Sequence, residues 1–163
     1  MITKIGDVFA AKLDENTRKY FQFVAIDRTQ LGSSVIRVFK KSYKSDTEAN
    51  LAEIVKDEVE FYAHCILRVG IKHGYWEKVG KVTDVGKNEV LFRSTNDYGH
   101  ILGEEPIKIS KKWWVWKVNE ERRYVGILAG EDTKAEIGLV ISPDSIVHRM
   151  KIGDYDFAYT GFE

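Results

Sequence analysis

Cysteine is almost absent from the chain: Cys65 is the only one, so no internal disulfide can form. A single thiol argues against a small secreted scaffold and fits a reducing compartment. No apolar run approaches the ~18 residues of a membrane span. The charged start of the chain also does not resemble a signal peptide. We therefore expect a cytoplasmic protein with no membrane segment.

Net charge is lacking as well, because 25 lysines and arginines balance 25 aspartates and glutamates. A balanced chain is neither a generally basic nucleic-acid binder nor an acidic mimic of nucleic acid. Only two prolines occur, Pro106 and Pro143, and no Pro/Ser/Gly-rich linker divides the 163 residues. We expect a single domain over residues 1–163, long enough to bury a core of its own.

The usual signatures of catalysis and metal binding are missing. The four histidines include no i, i+4 pair, and the chain has no Cys-x-x-Cys pair, phosphate loop, nucleophile elbow or dinucleotide fingerprint. His64 adjoins Cys65, but neighbours on a strand point to opposite faces and form no thiolate–imidazole pair. We predict no catalytic residue, no cofactor and no metal. An enzyme site assembled from dispersed carboxylates and histidines would leave no trace in the sequence, so that alternative stays open.

Aromatic and β-branched residues gather in short runs, which is typical of strands. The first three runs follow one another with tight turns and predict a meander. The predicted strands cover residues 8–13, 20–27, 35–39, 59–66, 76–82, 89–93, 112–118, 124–128 and 156–160.

Two helices are predicted. Ser45 and Glu48 have capping-box spacing ahead of an apolar stripe within residues 51–55. Ser142, followed by proline, is a typical start for a helix that runs to about Met150. Residues 66–74 are ambiguous, and a short helix is one alternative there. The predicted fold class is α+β, mainly antiparallel, as a partly open barrel or strongly curved sheet with two short helices.

The most distinctive segment is residues 111–124, which predicts a hairpin. On its first strand Trp114 and Trp116 share one face, while Trp113 and Lys117 share the other. Because the second face is less apolar and ends in lysine, Trp113 is the best candidate for a partly exposed aromatic side chain.

Basic residues surround these aromatics, five against two acidic ones, for a net charge of +3 over residues 111–124. Such a mixture can anchor a protein partner, since Trp, Tyr and Arg dominate binding energy at interfaces. It can also bind single-stranded nucleic acid, or simply keep a hairpin rim soluble. Residues 46–60 have the opposite charge, −5, and could steer a basic partner or form a solvated face. The predicted partner-binding residues are Lys111, Lys112, Trp113, Arg122 and Arg123.

Several segments resemble, in order, the immunity protein 26 family of bacterial polymorphic toxin systems. Residues 4–10 are similar to that family's Gly-Asp-x-Phe start, and an aromatic strand follows at residues 20–24. Residues 72–80 resemble its lysine–glycine–tryptophan–glycine segment. Residues 40–46 and 96–106 match nothing in the family. The pieces that keep the family's remaining order are residues 113–117, 124–128, 138–140 and 146–150.

The resemblance implies a mostly β protein without enzymatic activity that binds and neutralises a cognate toxin inside the producing cell. It supplies no catalytic residues and no transferable interface. The expected partner is thus a toxin protein, and a single-stranded nucleic acid bound by the hairpin of residues 111–124 is the alternative.

Overall fold

The computed structural model describes residues 2–163, which contain ten β-strands, three α-helices and one 3₁₀ helix. The strands are β1 (Asp7–Lys12), β2 (Thr17–Asp27), β3 (Ser33–Phe39), β4 (Tyr43–Lys44), β5 (Val59–Cys65), β6 (Trp76–Lys81), β7 (Leu91–Thr95), β8 (Trp113–Lys117), β9 (Arg123–Gly126) and β10 (Glu136–Ile137). The helices are α1 (Leu51–Ile54), α2 (Leu67–Lys72) and α3 (Pro143–Ile152), and the 3₁₀ helix is Gly130–Lys134.

The strands form two sheets. The first has the order β5-β3-β2-β1-β6, with β4 paired to β2, and all its pairs are antiparallel. The second has the order β10-β7-β8-β9 and is antiparallel except for the β10–β7 pair. The predicted α+β fold with mainly antiparallel strands is confirmed, and the sheets are not closed into a barrel.

Both faces of the first sheet are buried, because its central strands are apolar on both sides. Within β2, Phe21 and Phe23 face one core, whereas Tyr20 and Val24 face the opposite side. Helices α2 and α3 cover the first face. Buried members of that core include Phe9, Phe21, Ile36, Phe61, Leu67, Trp76, Ile146 and Met150.

Two different elements cover the opposite face of the first sheet. At one end α1 places Ile54 against Tyr20 and Phe39. At the other end the second sheet places Trp116 against Val24 in a cluster that also holds Phe92 and Val35. The second sheet is therefore attached to the first through β7 and β8.

A buried polar network lies on this same face of the first sheet, between α1 and the second sheet. Arg37 donates through Nε and one terminal nitrogen to Gln22 Oε1, at 3.0 and 2.8 Å. Gln22 Nε2 in turn donates to the main-chain oxygen of Val82 at 2.8 Å. No carboxylate among residues 2–163 forms an ion pair with Arg37, and burial lowers the pKa of this guanidinium. Neutral acceptors therefore satisfy the buried charge.

Eight of the nine predicted strands form, with ends displaced by a few residues. The strand predicted over residues 156–160 is wrong: the structure has no strand there, and a single bridge joins Gly161 to Ile109. The aromatic side chains of this region pack in two places instead: Phe157 lies against the core of the first sheet, whereas Tyr159 and the following Phe162 lie beside Trp113 of the second sheet. Residues 156–160 thus have the apolar spacing of a strand, but they pack their side chains without pairing to a neighbouring strand through main-chain hydrogen bonds.

The helices also differ in part from the prediction. The cap of α1 is Asn50, whose side chain accepts from the Glu53 amide at 3.4 Å, so the capping role predicted for Ser45 is wrong. Helix α3 starts after Ser142 as predicted, although the Ser142 side chain makes no capping hydrogen bond, and it ends at Ile152, two residues beyond the predicted Met150, before Gly153 in the left-handed region at φ 99°. The ambiguous residues 66–74 contain α2, which raises the number of α-helices to three. No helix within residues 2–163 has the length and apolar character to cross a membrane.

Candidate interaction surface

The predicted hairpin forms from β8 and β9, and β9 is an edge strand of the second sheet. Trp114 lies opposite Tyr124, with ring centres 5.1 Å apart and ring planes at 69°. The Arg122 guanidinium lies over the Trp114 ring, 4.5 Å from its centre. Trp114 is half-buried and Tyr124 is 56 % exposed. We call these three residues, with the neighbouring Lys111 and Lys112, the hairpin surface.

Trp113 does not reach this surface. Its side chain is fully buried, its Nε1 donates to the Ser110 main-chain oxygen at 2.8 Å, and its ring packs beside Tyr159 and Phe162. The expectation of a partly exposed Trp113 is therefore wrong, and Trp114 is the partly exposed member of the pair. Tyr159 and Phe162, near the end of the chain, cover the face of β8 that carries Trp113, which the sequence pattern indicates as the less apolar face.

The predicted cations are all exposed, but they differ in their partners. Arg123 forms an ion pair with Asp132, at 3.0 Å. No ion pair within residues 2–163 involves Lys111, Lys112 or Arg122. The hairpin surface therefore presents positive charge that no ion pair within residues 2–163 neutralises. Two exposed glutamates, Glu120 and Glu121, lie in the hairpin turn.

A buried carboxylate fixes the hairpin to the first sheet. Asp27 Oδ2 accepts from Trp116 Nε1 at 3.0 Å and pairs with His64 Nε2 at 2.9 Å. Asp27 Oδ1 accepts from the Asn119 amide at 3.1 Å, and the Asn119 side chain accepts from the Arg28 amide at 2.7 Å. Both the strand and the turn of the hairpin are thus tied to the end of β2.

The protonation of this buried pair follows from its surroundings. Burial opposes ionisation of Asp27, but hydrogen bonds from His64, Trp116 and Asn119 together lower its pKa below the ordinary value. Burial lowers the pKa of His64 more than the neighbouring carboxylate raises it. His64 is therefore neutral and Asp27 ionised, so the proton on Nε2 is donated to the carboxylate while Nδ1 has no partner among residues 2–163. A pair with zero exposure in this state holds the fold together and offers no access to a substrate.

His64 and Cys65 lie on opposite faces of β5, as predicted from strand alternation. The His64 ring packs 4.2 Å from the Phe92 ring, on the side of the second sheet. Cys65 belongs to the core beneath α2 and α3, where burial raises the pKa of its thiol. The two side chains form no nucleophile–base pair.

Other polar clusters are paired internally or open to solvent. Within residues 46–60, Asp57 accepts from the Tyr43 hydroxyl at 2.7 Å and Glu60 holds Lys19 at 2.8 Å. A groove of about 490 Å³ near β1, β6 and α2 is lined by both signs of charge, with neither histidine nor cysteine. No group of three or more His, Cys, Asp or Glu side chains within residues 2–163 is placed to hold a metal ion.

A protein-family model described as Immunity protein 26 matches residues 4–100 of the chain. This match spans more than half of the chain. The chain belongs to the immunity protein 26 family. Comparisons with curated proteins and with solved structures give no match.

The match to the immunity protein 26 model covers β1 to β7 and both helices between them. The hairpin, β10 and α3 follow the matched range. The later segments assigned to the family from the sequence, from residue 113 onward, therefore lie outside this match. The hairpin surface lies outside the residues that the family model matches.

Proposed function

We propose that this immunity protein binds a cognate toxin in the cytoplasm of the producing cell and neutralises it by occupying its surface, without chemistry of its own. Membership of the immunity protein 26 family is the observation that carries this proposal. Burial of the Asp27–His64 pair and of Cys65 supports a binding role, because these three side chains, which could perform acid–base or nucleophilic chemistry, are enclosed in the core.

The hairpin surface is the region that we assign to the toxin. Tryptophan, tyrosine and arginine dominate binding energy at protein interfaces, and Trp114, Tyr124 and Arg122 lie together here. Stacking holds Arg122 in place while leaving its in-plane N–H donors free for a partner. Lys111 and Lys112 add exposed charge beside the aromatic pair.

Two of the predicted residues take different roles in this proposal. Arg123 is held by Asp132, so it contributes less free charge than its neighbours. Trp113 supports the hairpin from beneath, because its ring is enclosed by Tyr159 and Phe162. Neither is expected to make the main contacts with the toxin.

Single-stranded nucleic acid is the second candidate partner, and the hairpin geometry favours it less. Base stacking needs accessible ring faces. Trp113 is buried, and Arg122 lies over the Trp114 ring. Tyr124 is left as the exposed ring of the hairpin. Titration with an oligonucleotide at low salt tests this alternative, which predicts tight binding that weakens steeply as salt is added.

Co-expression tests the proposed function. The chain is produced together with the toxin domain encoded by the neighbouring gene, and growth and co-purification are both measured. We expect rescue of growth and a stable complex. Absence of rescue contradicts an immunity role towards that toxin, and rescue without a complex contradicts neutralisation by binding.

A matched pair of variants tests the assigned surface. Lys112→Glu combined with Arg122→Glu is expected to abolish rescue, because it reverses the unpaired charge of the hairpin surface. Arg68→Glu combined with Lys72→Glu makes the same change of charge on α2, which covers the other face of the first sheet, and is expected to keep rescue. Equal rescue by both variants would place the toxin elsewhere.

A further inference from the structure

We propose that the toxin binds by strand addition at β9 and contributes an extended segment with acidic side chains. This inference rests on the function proposed above, because it specifies the chemistry of the partner at the same hairpin. It follows from three features of the hairpin: a free sheet edge, weak protection of that edge and unpaired positive charge beside it.

The outer edge of β9 has no strand neighbour within residues 2–163. An edge strand offers unpaired main-chain N–H and C=O groups to any extended chain that approaches it. Tyr124 within β9 is 56 % exposed, and Ile127 directly after it is 58 % exposed. Main-chain groups and apolar side chains are therefore accessible together, as strand addition requires.

Another free edge, β6, is protected in a way that β9 is not. Three of its six residues are exposed and charged, namely Glu77, Lys78 and Lys81, and of these only Lys78 forms an ion pair within residues 2–163, with Asp7 at 3.1 Å. Charged side chains along an edge discourage pairing with another chain. In β9 the one charged residue is Arg123, whose charge is paired with Asp132. Of these two edges, β9 has fewer charged side chains to oppose pairing with a strand of another protein.

The charge beside β9 selects the kind of strand. Lys111, Lys112, Lys117 and Arg122 are exposed and form no ion pair within residues 2–163. A guanidinium stacked on an aromatic ring can still bind a carboxylate through two parallel hydrogen bonds. Because alternate residues of a strand share a face, the toxin segment should carry Asp or Glu at alternate positions.

Hydrogen–deuterium exchange distinguishes strand addition from contact through side chains alone. Exchange is measured for the full chain, free and in complex with the toxin domain from the neighbouring gene. We expect the amides within residues 123–127 that point away from β8 to exchange at least about tenfold more slowly in the complex, since strand pairing protects main-chain N–H groups. A complex that restores growth but leaves exchange of these amides unchanged would overturn strand addition and leave the proposed function intact.

Affinity measurements test the acidic character of the segment. We expect Lys112→Glu with Arg122→Glu to raise Kd about 100-fold, and the control Arg68→Glu with Lys72→Glu to change it less than about twofold. Equal affinity of the hairpin variant and the unaltered chain, with both folded by circular dichroism, would overturn an acidic partner. Absence of both complex and rescue overturns the inference together with the proposed function. Oligonucleotide binding that the hairpin variant abolishes, without a toxin complex, would replace it by nucleic-acid recognition.

Discussion

Asp27 joins three separate parts of the chain through one buried side chain. His64 comes from β5, Trp116 from β8 and Asn119 from the hairpin turn, and each bonds directly to the carboxylate. A fourth bond comes from the amide of Gln30, at 3.3 Å. Loss of an acceptor leaves buried donors unsatisfied, which costs more than the net gain from making the bonds. The position of the hairpin surface therefore depends on a residue that the surface does not contain.

We expect Asp27→Asn to lower the free energy of unfolding by about 2–4 kcal/mol. The substitution replaces one carboxylate oxygen by an NH₂ group, which cannot accept the hydrogen bonds that this oxygen accepts in the unaltered chain. Urea unfolding followed by tryptophan fluorescence measures the change. Asp154→Asn is the control, since this side chain is exposed, and it should change stability by less than about 0.5 kcal/mol. Similar losses in both variants would show that the bonds to Asp27 contribute little.

The pKa shift of His64 makes stability depend on pH. Because its pKa is lowered from 6.5 in the folded chain, the unfolded chain binds more protons as pH falls through that value. Stability therefore decreases on acidification below about pH 6.5. The lowered pKa of Asp27 adds a loss in the same direction at more acidic pH, below its ordinary value of 3.8.

A His64→Gln variant isolates this contribution, since glutamine can donate to Asp27 but does not titrate. We expect the unaltered chain to lose more stability than the variant between about pH 7 and pH 5, by at most about 1.4 kcal/mol per pH unit. Urea unfolding at several pH values gives both curves. Parallel curves would contradict coupling of His64 protonation to folding.

At the scale of elements, the sequence predicts those structures whose signals are local. The strands β1, β2 and β3 carry their own apolar runs, and α3 has both its start signal at Ser142 and its end at Gly153. The two-residue strands β4 and β10 exist because they pair with β2 and β7, and no local pattern marks them. Which strands pair depends on the whole fold, so the periodicity of apolar residues within one segment does not predict it.

The hairpin surface was predictable in part for the same reason. The hairpin and its exposed cations follow from residues 111–124 alone. The exposure of Trp114 instead of Trp113 does not, because it depends on Tyr159 and Phe162, which are more than 40 residues away in the chain. The contribution of Asp27 was missed altogether, since one aspartate at the end of an apolar run carries no recognisable motif.

Helix α2 contains a glycine where helix propensity favours alanine. A Cβ at Gly70 would lie 2.0 Å from Cε2 of Trp76, a buried member of the main core. In a helix interior Gly→Ala usually gains up to about 1 kcal/mol, but overpacking of a core costs about 1–3 kcal/mol. The close contact between α2 and β6 therefore requires glycine at this position.

We expect Gly70→Ala to lower the free energy of unfolding by about 1–3 kcal/mol. Combining it with Trp76→Phe removes part of the indole, so the double variant should be more stable than the sum of the single changes predicts. Urea unfolding of the four proteins gives the coupling. Additive effects, or stabilisation by Gly70→Ala alone, would contradict the steric explanation.

At the scale of the whole molecule, the boundary of the family match and the boundary of the core do not coincide. The match ends at residue 100. The core between the first sheet and helices α2 and α3 nevertheless includes Ile146 and Met150 of α3, and Ile141 just before that helix. Trp116 of β8, which also bonds to Asp27, covers one end of the opposite face of the first sheet. Without these residues, both faces of the first sheet lose part of their cover.

A fragment of residues 1–100 is therefore expected not to fold, although it contains the whole region matched by the family model. Exposing both faces of the first sheet forfeits roughly 25 cal/mol for each Å² of apolar surface left in water, more than a marginally stable domain can lose. Circular dichroism and dye binding of the fragment, beside urea unfolding of the full chain, measure this. The full chain should unfold in one transition seen alike by fluorescence and by circular dichroism. A folded fragment, or two separate transitions, would instead mean that the hairpin surface sits on a unit added to an independently stable family domain.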